Sequence, residues 1–240
     1  MSIVIVCCLH GNEQYGLEVA RLFFPSIPFF IGNKRALIEN KSFIEFNLNR
    51  IFPGKKNGNY EERVASNLLK KLKNFKYVVD LHSSSNHCPL FGIITKPNKE
   101  KIELAQRMGL DKLVIMMPSF ANNSSLIDYV NCGISLEIGP HERIENIQEV
   151  SEIIRNLVEN KNRSDFLEIF EVFGKIKKEY ENVLIKNFEN IKKGQILSTG
   201  EGNKKQIADF DFTAILVNEE SYGDVLCLAG KQINFKTKNC

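Results

Sequence analysis

The sequence predicts an α/β unit followed by a small all-β unit, and three observations carry that reading. From the N-terminus to about residue 160, apolar runs rich in β-branched residues alternate with amphipathic segments of helical period. Two of those runs, Ile3–Leu9 and Tyr77–Leu81, stop at a histidine, His10 and His82, where open α/β sheets place their ligands. At Lys161–Asp165 the composition turns polar and the alternation ceases; beyond it lie short strand-like segments broken by Gly174, Gly194, Gly200, Gly202 and Gly230. The expected domains are residues 1–163 and 164–240, the second a β unit of roughly 75 residues, within ordinary domain sizes.

Ile3–Leu9 reads as a buried strand because it ends at the polar, glycine-containing break His10–Glu13. Gln14–Phe24 carries Tyr15, Val19, Leu22 and Phe23 at helical spacing, and Pro25 ends it. A strand over Pro28–Ile31 precedes a polar, irregular stretch that begins at Gly32–Arg35 and leads to Phe46–Gly54. Tyr60–Leu72 is helical, with Glu61, Glu62, Arg63, Lys70 and Lys71 on the side away from the apolar stripe. Tyr77–Leu81 and Leu90–Thr95 are strands, Lys99–Met108 is a helix closed by Gly109, and Leu113–Met116 is a strand. Pro118–Asn123 reads as a loop, Ile134–Ile138 as a strand and Asn146–Glu159 as an amphipathic helix. The remaining strands are expected within Phe170–Ile176, Val183–Phe188, Gly194–Gly200, Thr213–Glu220 and Val225–Ile233.

Composition excludes several classes of function. With 240 residues, 43% hydrophobic and 25% charged, the chain can bury a sizeable core and shows no signature of disorder. A net charge of +3 with scattered lysines argues against nucleic acid. No run approaches the roughly 18 apolar residues of a membrane span, and the apolar start lacks the positive flank of a signal peptide. The six cysteines lack CxxC spacing and a dense secreted framework, so reduced thiols and a cytoplasmic location are expected. The oligomeric state stays open.

His10 and Glu13 stand three apart, and a helix beginning at Gly11–Asn12 would put them on one face, where they could share a metal ion. The same pair also suits a helix-capping histidine beside a solvated glutamate. Glu137 interrupts an otherwise apolar strand. A carboxylate there is costly unless paired, hydrogen-bonded or metal-associated, or else it faces water from an edge strand.

Five motifs occur in a fixed order: HGNE at His10–Glu13, NLNRIF at Asn47–Phe52, DLH at Asp80–His82, LEIGP at Leu136–Pro140 and VNEESY at Val217–Tyr222. Together they resemble the succinylglutamate desuccinylase and aspartoacylase family, zinc-dependent amide hydrolases with a zinc-carboxypeptidase-like fold. The resemblance implies a mixed sheet flanked by helices, with the small β domain packing over the active site. It implies one zinc ion per chain held by His10, Glu13 and His82, with Glu137 as general base acting on the attacking water. It also implies that Asn49 and Arg50 grip a substrate carboxylate and that Tyr222 contacts substrate. The chemistry agrees, because two imidazoles and a carboxylate leave a fourth position open for water, and a guanidinium offers a two-pronged donor to a carboxylate. Asp80 supports either the strand end or the ligand His82.

Three departures bear on the substrate. Where the aspartoacylase branch has an Arg seven residues before the Asn–Arg pair, this chain has Ser42; where it has an Asp two before the pair, this chain has Asn47. A second substrate-binding Arg, ten residues before the catalytic Glu, falls on Ile127. Serine and isoleucine cannot supply those charges, so the site is expected to hold less positive charge; Lys41 and Arg35 are the candidates to replace it. The expected substrate is a small N-acyl amino acid with one carboxylate and a neutral side chain, with N-acetylaspartate a poor one. The alternatives are a zinc carboxypeptidase acting on peptides and a metal-binding protein that holds a small anion with weak or no hydrolysis.

Overall fold

The computed structural model describes residues 2–117, 122–141, 147–159 and 166–234. In chain order its elements are β1 (Ile3–Cys7), α1 (Tyr15–Phe23), β2 (Phe29–Ile31), α2 (Lys34–Ile38), α3 (Tyr60–Leu72), β3 (Tyr77–Ser84), β4 (Phe91–Ile94), α4 (Lys99–Met108), β5 (Lys112–Met116), β6 (Cys132–Pro140) and α5 (Ile147–Glu159). There follow β7 (Glu168–Lys177), β8 (Asn182–Val183), β9 (Asn190–Ile191), β10 (Ile196–Thr199), β11 (Lys205–Ile207), β12 (Phe212–Ile215) and β13 (Val225–Ile233). Ten strands form one mixed sheet in the order β2-β1-β3-β6-β4-β5-β7-β13-β12-β9, and β11-β10-β8 form a separate small sheet.

The alternation of side chains along the strands sorts the two faces. Ile3, Ile5 and Cys7 of β1, Tyr77, Val79 and Leu81 of β3 and Ile134, Leu136 and Ile138 of β6 pack against α1, α4 and α5. On the other face Val4, Val6 and Val78 pack against Ala65, Leu68 and Leu72 of α3 together with Leu48 and Phe52. Asp80 and His82 continue the face of Val78, and Ser135 and Glu137 alternate with the apolar residues of β6. The polar residues of the central strands therefore avoid the three-helix layer.

Strands β1, β3 and β6 run parallel, with Cys7 opposite Leu81 and His82 opposite Glu137. Their carboxyl ends meet at one sheet edge, and β4 then runs antiparallel to β6. The helices hold their places by ordinary end chemistry. In α3, Asn59 and Glu62 form a reciprocal capping box. In α4, Asn98 caps the start and Gly109 closes the end at φ 77°.

The strands expected as a C-terminal unit continue the sheet of the first. β7 pairs in parallel with β5, from Lys112 opposite Glu168 to Met116 opposite Val172, and β13 pairs with β7 along its length. The expected boundary after residue 163, like most of the expected loop Pro118–Asn123 and the residue Asn146, lies outside the described residues.

Several local expectations are corrected. No helix begins at Gly11–Asn12; His10 and Glu13 are brought together by a tight turn in which the Glu13 N–H donates to the His10 carbonyl at 3.2 Å, and α1 starts at Tyr15. The polar stretch at Lys34 is a short helix, α2, capped by the Asn33 side chain on the N–H of Ala36 at 3.1 Å. Glu61 does not face water. It is fully buried, and its carboxylate accepts from the N–H groups of Ile44, Glu45 and Phe46 and from the Asn33 amide. Of Val183–Phe188 only Val183 lies in a strand, and the two- and three-residue strands β9 and β11 had no visible signal of their own.

Candidate metal and substrate site

The turn after β1 is the first component. Cys8 adopts φ 53°, a left-handed conformation that redirects the chain at the strand end. A Cβ on Gly11 would lie 2.1 Å from the backbone carbon of Ala36, so only glycine lets the turn sit against α2. The Gly11 N–H donates to the Ser42 carbonyl at 3.2 Å. This places the His10 and Glu13 side chains beside the end of β3, where His82 emerges.

The three side chains converge. One donor atom from each of His10, Glu13 and His82 lies within 4.8 Å of the others, and all three residues are buried. His10 Nδ1 is 2.7 Å from Glu13 Oε1, and His82 Nδ1 is 3.0 Å from Glu13 Oε2. The opposite ring nitrogens are already engaged. His10 Nε2 donates to Asn47 Oδ1 at 3.1 Å, an oxygen identified by the Asn49 N–H that it accepts at 2.9 Å. His82 Nε2 donates to Asp80 Oδ2 at 2.8 Å. With both Nε2 atoms carrying hydrogen, the neutral imidazoles point bare Nδ1 lone pairs at a carboxylate. Only a cation, a proton or a metal ion, makes that arrangement favourable.

The electrostatics follow from the same contacts. Burial opposes ionisation of Glu13, yet the two imidazoles outweigh it and pull its carboxyl down to about 2. Burial likewise opposes charge on His82, and Asp80 and Glu13 overcome it, raising the imidazole well above its usual value. Without metal, a proton on His82 supplies the cation. The residues thus fit a metal ion with a two-histidine, one-carboxylate donor set, the kind that holds catalytic zinc.

Glu137 opens on the same cleft. Enclosure by protein, with Glu13, Glu219 and Asp80 nearby, pushes its carboxyl up to about 8 against the lowering effect of His82. Asn49 and Arg50 lie on a single helical turn, Leu48–Arg50, and both line the cleft. Asn49 Oδ1 accepts from the Leu126 N–H at 2.9 Å, which turns its amide nitrogen toward the His82 ring. Arg50 Nη1 donates to the Asn49 carbonyl at 2.9 Å, and its guanidinium stacks 5.7 Å from the Tyr222 ring centre.

Tyr222 comes from the β12–β13 connection, on a turn spanning Glu220–Tyr222. That connection is tied to the segment after β3. The Ser85 N–H donates to Glu219 Oε2 at 2.9 Å, the Glu220 N–H donates to Ser85 Oγ at 2.9 Å, and the Asn86 amide donates to the Asn218 carbonyl. These elements surround a cleft that is open to solvent on one side. One wall is apolar, made by Ile93, Met116, Ile127 and Leu216.

Arg50 is the one arginine or lysine lining the cleft among the described residues. The expected substitutes lie elsewhere: Arg35 and Lys41 both pair with Glu39 at the surface, at 3.0 and 2.8 Å. Ser83 and Glu219 also line the cleft and had not been singled out, although the hydroxyl run after His82 and the VNEESY motif contain them.

Residues 1–160 match the family model of the succinylglutamate desuccinylase/aspartoacylase catalytic domain. The chain belongs to that family. A probable aspartoacylase of Acaryochloris marina (strain MBIC 11017) is 27% identical over 162 residues, which cover 58% of this chain and 55% of the relative. The match thus spans about half the length of that curated relative. Murine aminoacylase 3 superposes with a TM-score of 0.82 at 18% identity, over 97% of this chain and 95% of that one. A succinylglutamate desuccinylase/aspartoacylase from Rhodobacter sphaeroides superposes with a TM-score of 0.75 at 14% identity, over 98% and 86% of the chains. These structures share the mixed α/β fold with its C-terminal β region. Among the described residues no helix is long and apolar enough to cross a membrane.

Proposed function

We propose that this family member is a zinc-dependent hydrolase that cleaves the amide bond of a small N-acyl amino acid. The observation that carries the reading is the convergence of His10, Glu13 and His82 in a cleft that also holds Glu137 and Arg50. His10, Glu13 and His82 would hold one zinc ion per chain. Zinc bound there supplies Lewis acidity, bringing the pKa of a coordinated water down to about 7.

The chain's own residues do the rest. Glu137 takes a proton from the attacking water as oxygen bonds to the acyl carbon. It returns that proton to the nitrogen as the C–N bond breaks. A dication nearby favours its ionised form, so the carboxyl that titrates near 8 without metal is a base at neutral pH when the site is loaded. Arg50 grips the substrate carboxylate, Asn49 supports that grip, and Tyr222 closes the mouth against the guanidinium. The wall of Ile93, Met116, Ile127 and Leu216 suits a neutral side chain better than a second carboxylate. The buried free cysteines Cys7, Cys8, Cys88, Cys132 and Cys227 support a cytoplasmic location.

The test is amine release from a panel of N-acyl amino acids and short peptides by zinc-loaded and chelator-treated protein. Release from the N-acyl amino acids by the loaded form alone is the expected result. Release from peptides instead would favour a carboxypeptidase, and tight anion binding with no release would favour a binding protein.

A further inference from the structure

Ser83 follows the candidate ligand His82, is buried, and is among the residues that line the cleft. Its Oγ lies 2.7 Å from Nδ1 of His141. His141 stands immediately after β6, where its N–H donates to the Ser84 carbonyl at 3.1 Å, so the paired ends of β3 and β6 hold the ring against the hydroxyl. Nothing in the proposed chemistry uses this serine–histidine contact.

A hydroxyl offers one donor and two acceptor positions, and a neutral imidazole has one bare nitrogen. When Ser83 donates to His141, its hydroxyl oxygen keeps acceptor capacity for a second partner. An amide substrate brings in an N–H, and burying that group unpaired is costly. The nearby polar groups match it poorly. Arg50 can only donate, the Asn49 oxygen is committed to Leu126, the Glu219 carboxylate is held by the Ser85 N–H, and Glu137 is reserved for the proton transfer. Ser83 is next in sequence to His82, which lies opposite Glu137 in the β3–β6 register, and the register shifts just after His82, so the residue stands at the strand end where the cleft opens.

We propose that Ser83 is a substrate-contacting residue that accepts a hydrogen bond from the scissile amide N–H, with His141 a positioning residue that fixes the hydroxyl. The inference rests on the N-acyl amino acid reading above. It makes the site an amide reader: an oxygen ester of the same shape lacks the N–H and gains nothing from Ser83.

The experiment compares N-acetylmethionine with its oxygen ester counterpart, in which O replaces N–H, on the zinc-loaded full chain. Ser83→Ala should lower kcat/KM for the amide by about 2- to 12-fold, the worth of one hydrogen bond, mostly through KM. The ester, which has no N–H for Ser83 to accept, should lose less than about 2-fold, below the worth of a hydrogen bond. His141→Ala should act in the same direction, the double variant should be no worse than Ser83→Ala alone, and His141→Gln, which keeps an acceptor oxygen, should recover part of the loss. Equal losses on amide and ester, or multiplying losses in the double variant, overturn the proposal. If wild type hydrolyses neither compound, calorimetric Kd values for the pair still decide. An amide preference abolished by Ser83→Ala upholds the Ser83 contact and removes the hydrolase reading, whereas no preference removes the contact.

Discussion

Asp80 Oδ2 lies 2.8 Å from Nε2 of His82, two residues along the same face of β3. A strand presents residues i and i+2 to one side, so the carboxylate is delivered to the ring by the pleat itself. It fixes the tautomer that leaves Nδ1 available to a metal ion. Asp80→Asn keeps the volume but removes the charge. It should weaken zinc binding by about 10- to 100-fold, measured by competition with a chelating dye. His82→Ala should lose most of the roughly one zinc per chain found in wild type. Equal zinc content in wild type and His82→Ala would remove His82 from the site.

Glu137 tests the division between chemistry and structure. Its replacement by Gln should leave zinc content nearly unchanged and lower turnover by roughly 10² to 10⁴, the range of a general base. Steady-state rates and metal analysis on the same preparation check it. Wild-type turnover would assign the role to another group.

The metal-free protein should show the raised pKa of Glu137 as a pH dependence of stability. A carboxyl at about 8 when folded, against an ordinary 4.5, binds more protons folded than unfolded. Its contribution is fully present below about 4.5 and is lost as pH rises through about 8. Glu137→Gln has no such group. The Tm of the variant should therefore gain on wild type by roughly 10 °C between pH 5 and 9, since about three pKa units at ~1.4 kcal/mol each, at about 2–4 °C per kcal/mol, are at stake. A constant difference across that range would contradict the raised pKa of the carboxyl.

Arg35 and Lys41 are tied to Glu39 on the surface and do not line the cleft. Exposed pairs contribute about 0–1 kcal/mol. Arg35→Ala and Lys41→Ala should each keep kcat/KM within about 2-fold of wild type, as surface substitutions away from the site do. A loss above tenfold in either would show that it replaces the charge missing at Ser42.

Much of this site was legible because its parts sit in short motifs at strand ends. His10 with Glu13, Asp80 with His82, and Glu137 each follow or interrupt an apolar run, and parallel pairing of β1, β3 and β6 carries those ends to one edge. What stayed hidden depends on distance in sequence. Glu61 shares its helix with plainly solvated charges, and only the folded chain shows its carboxylate holding the backbone of Ile44–Phe46, which leads into Asn47 and Asn49. The five residues of α2 are too few for a period to show, and its cap, Asn33, looks like a loop residue. Ser83 and His141 are 58 positions apart, and no motif joins them. The continuity of the sheet into β7 and β13 was equally invisible, because edge pairing leaves no mark in composition.

The account rests on a zinc-dependent site that grips one carboxylate through Arg50 and faces the substrate side chain with an apolar wall. The most direct test is kcat/KM for N-acetylmethionine, its methyl ester and N-acetylaspartate, on zinc-loaded wild type and Arg50→Ala. Wild type should prefer N-acetylmethionine to N-acetylaspartate and to the ester by at least about 30-fold, the cost of a lost or unmatched charge contact, and Arg50→Ala should erase the preference for acid over ester. Efficient hydrolysis of N-acetylaspartate by wild type, or an acid preference that survives Arg50→Ala, would contradict it.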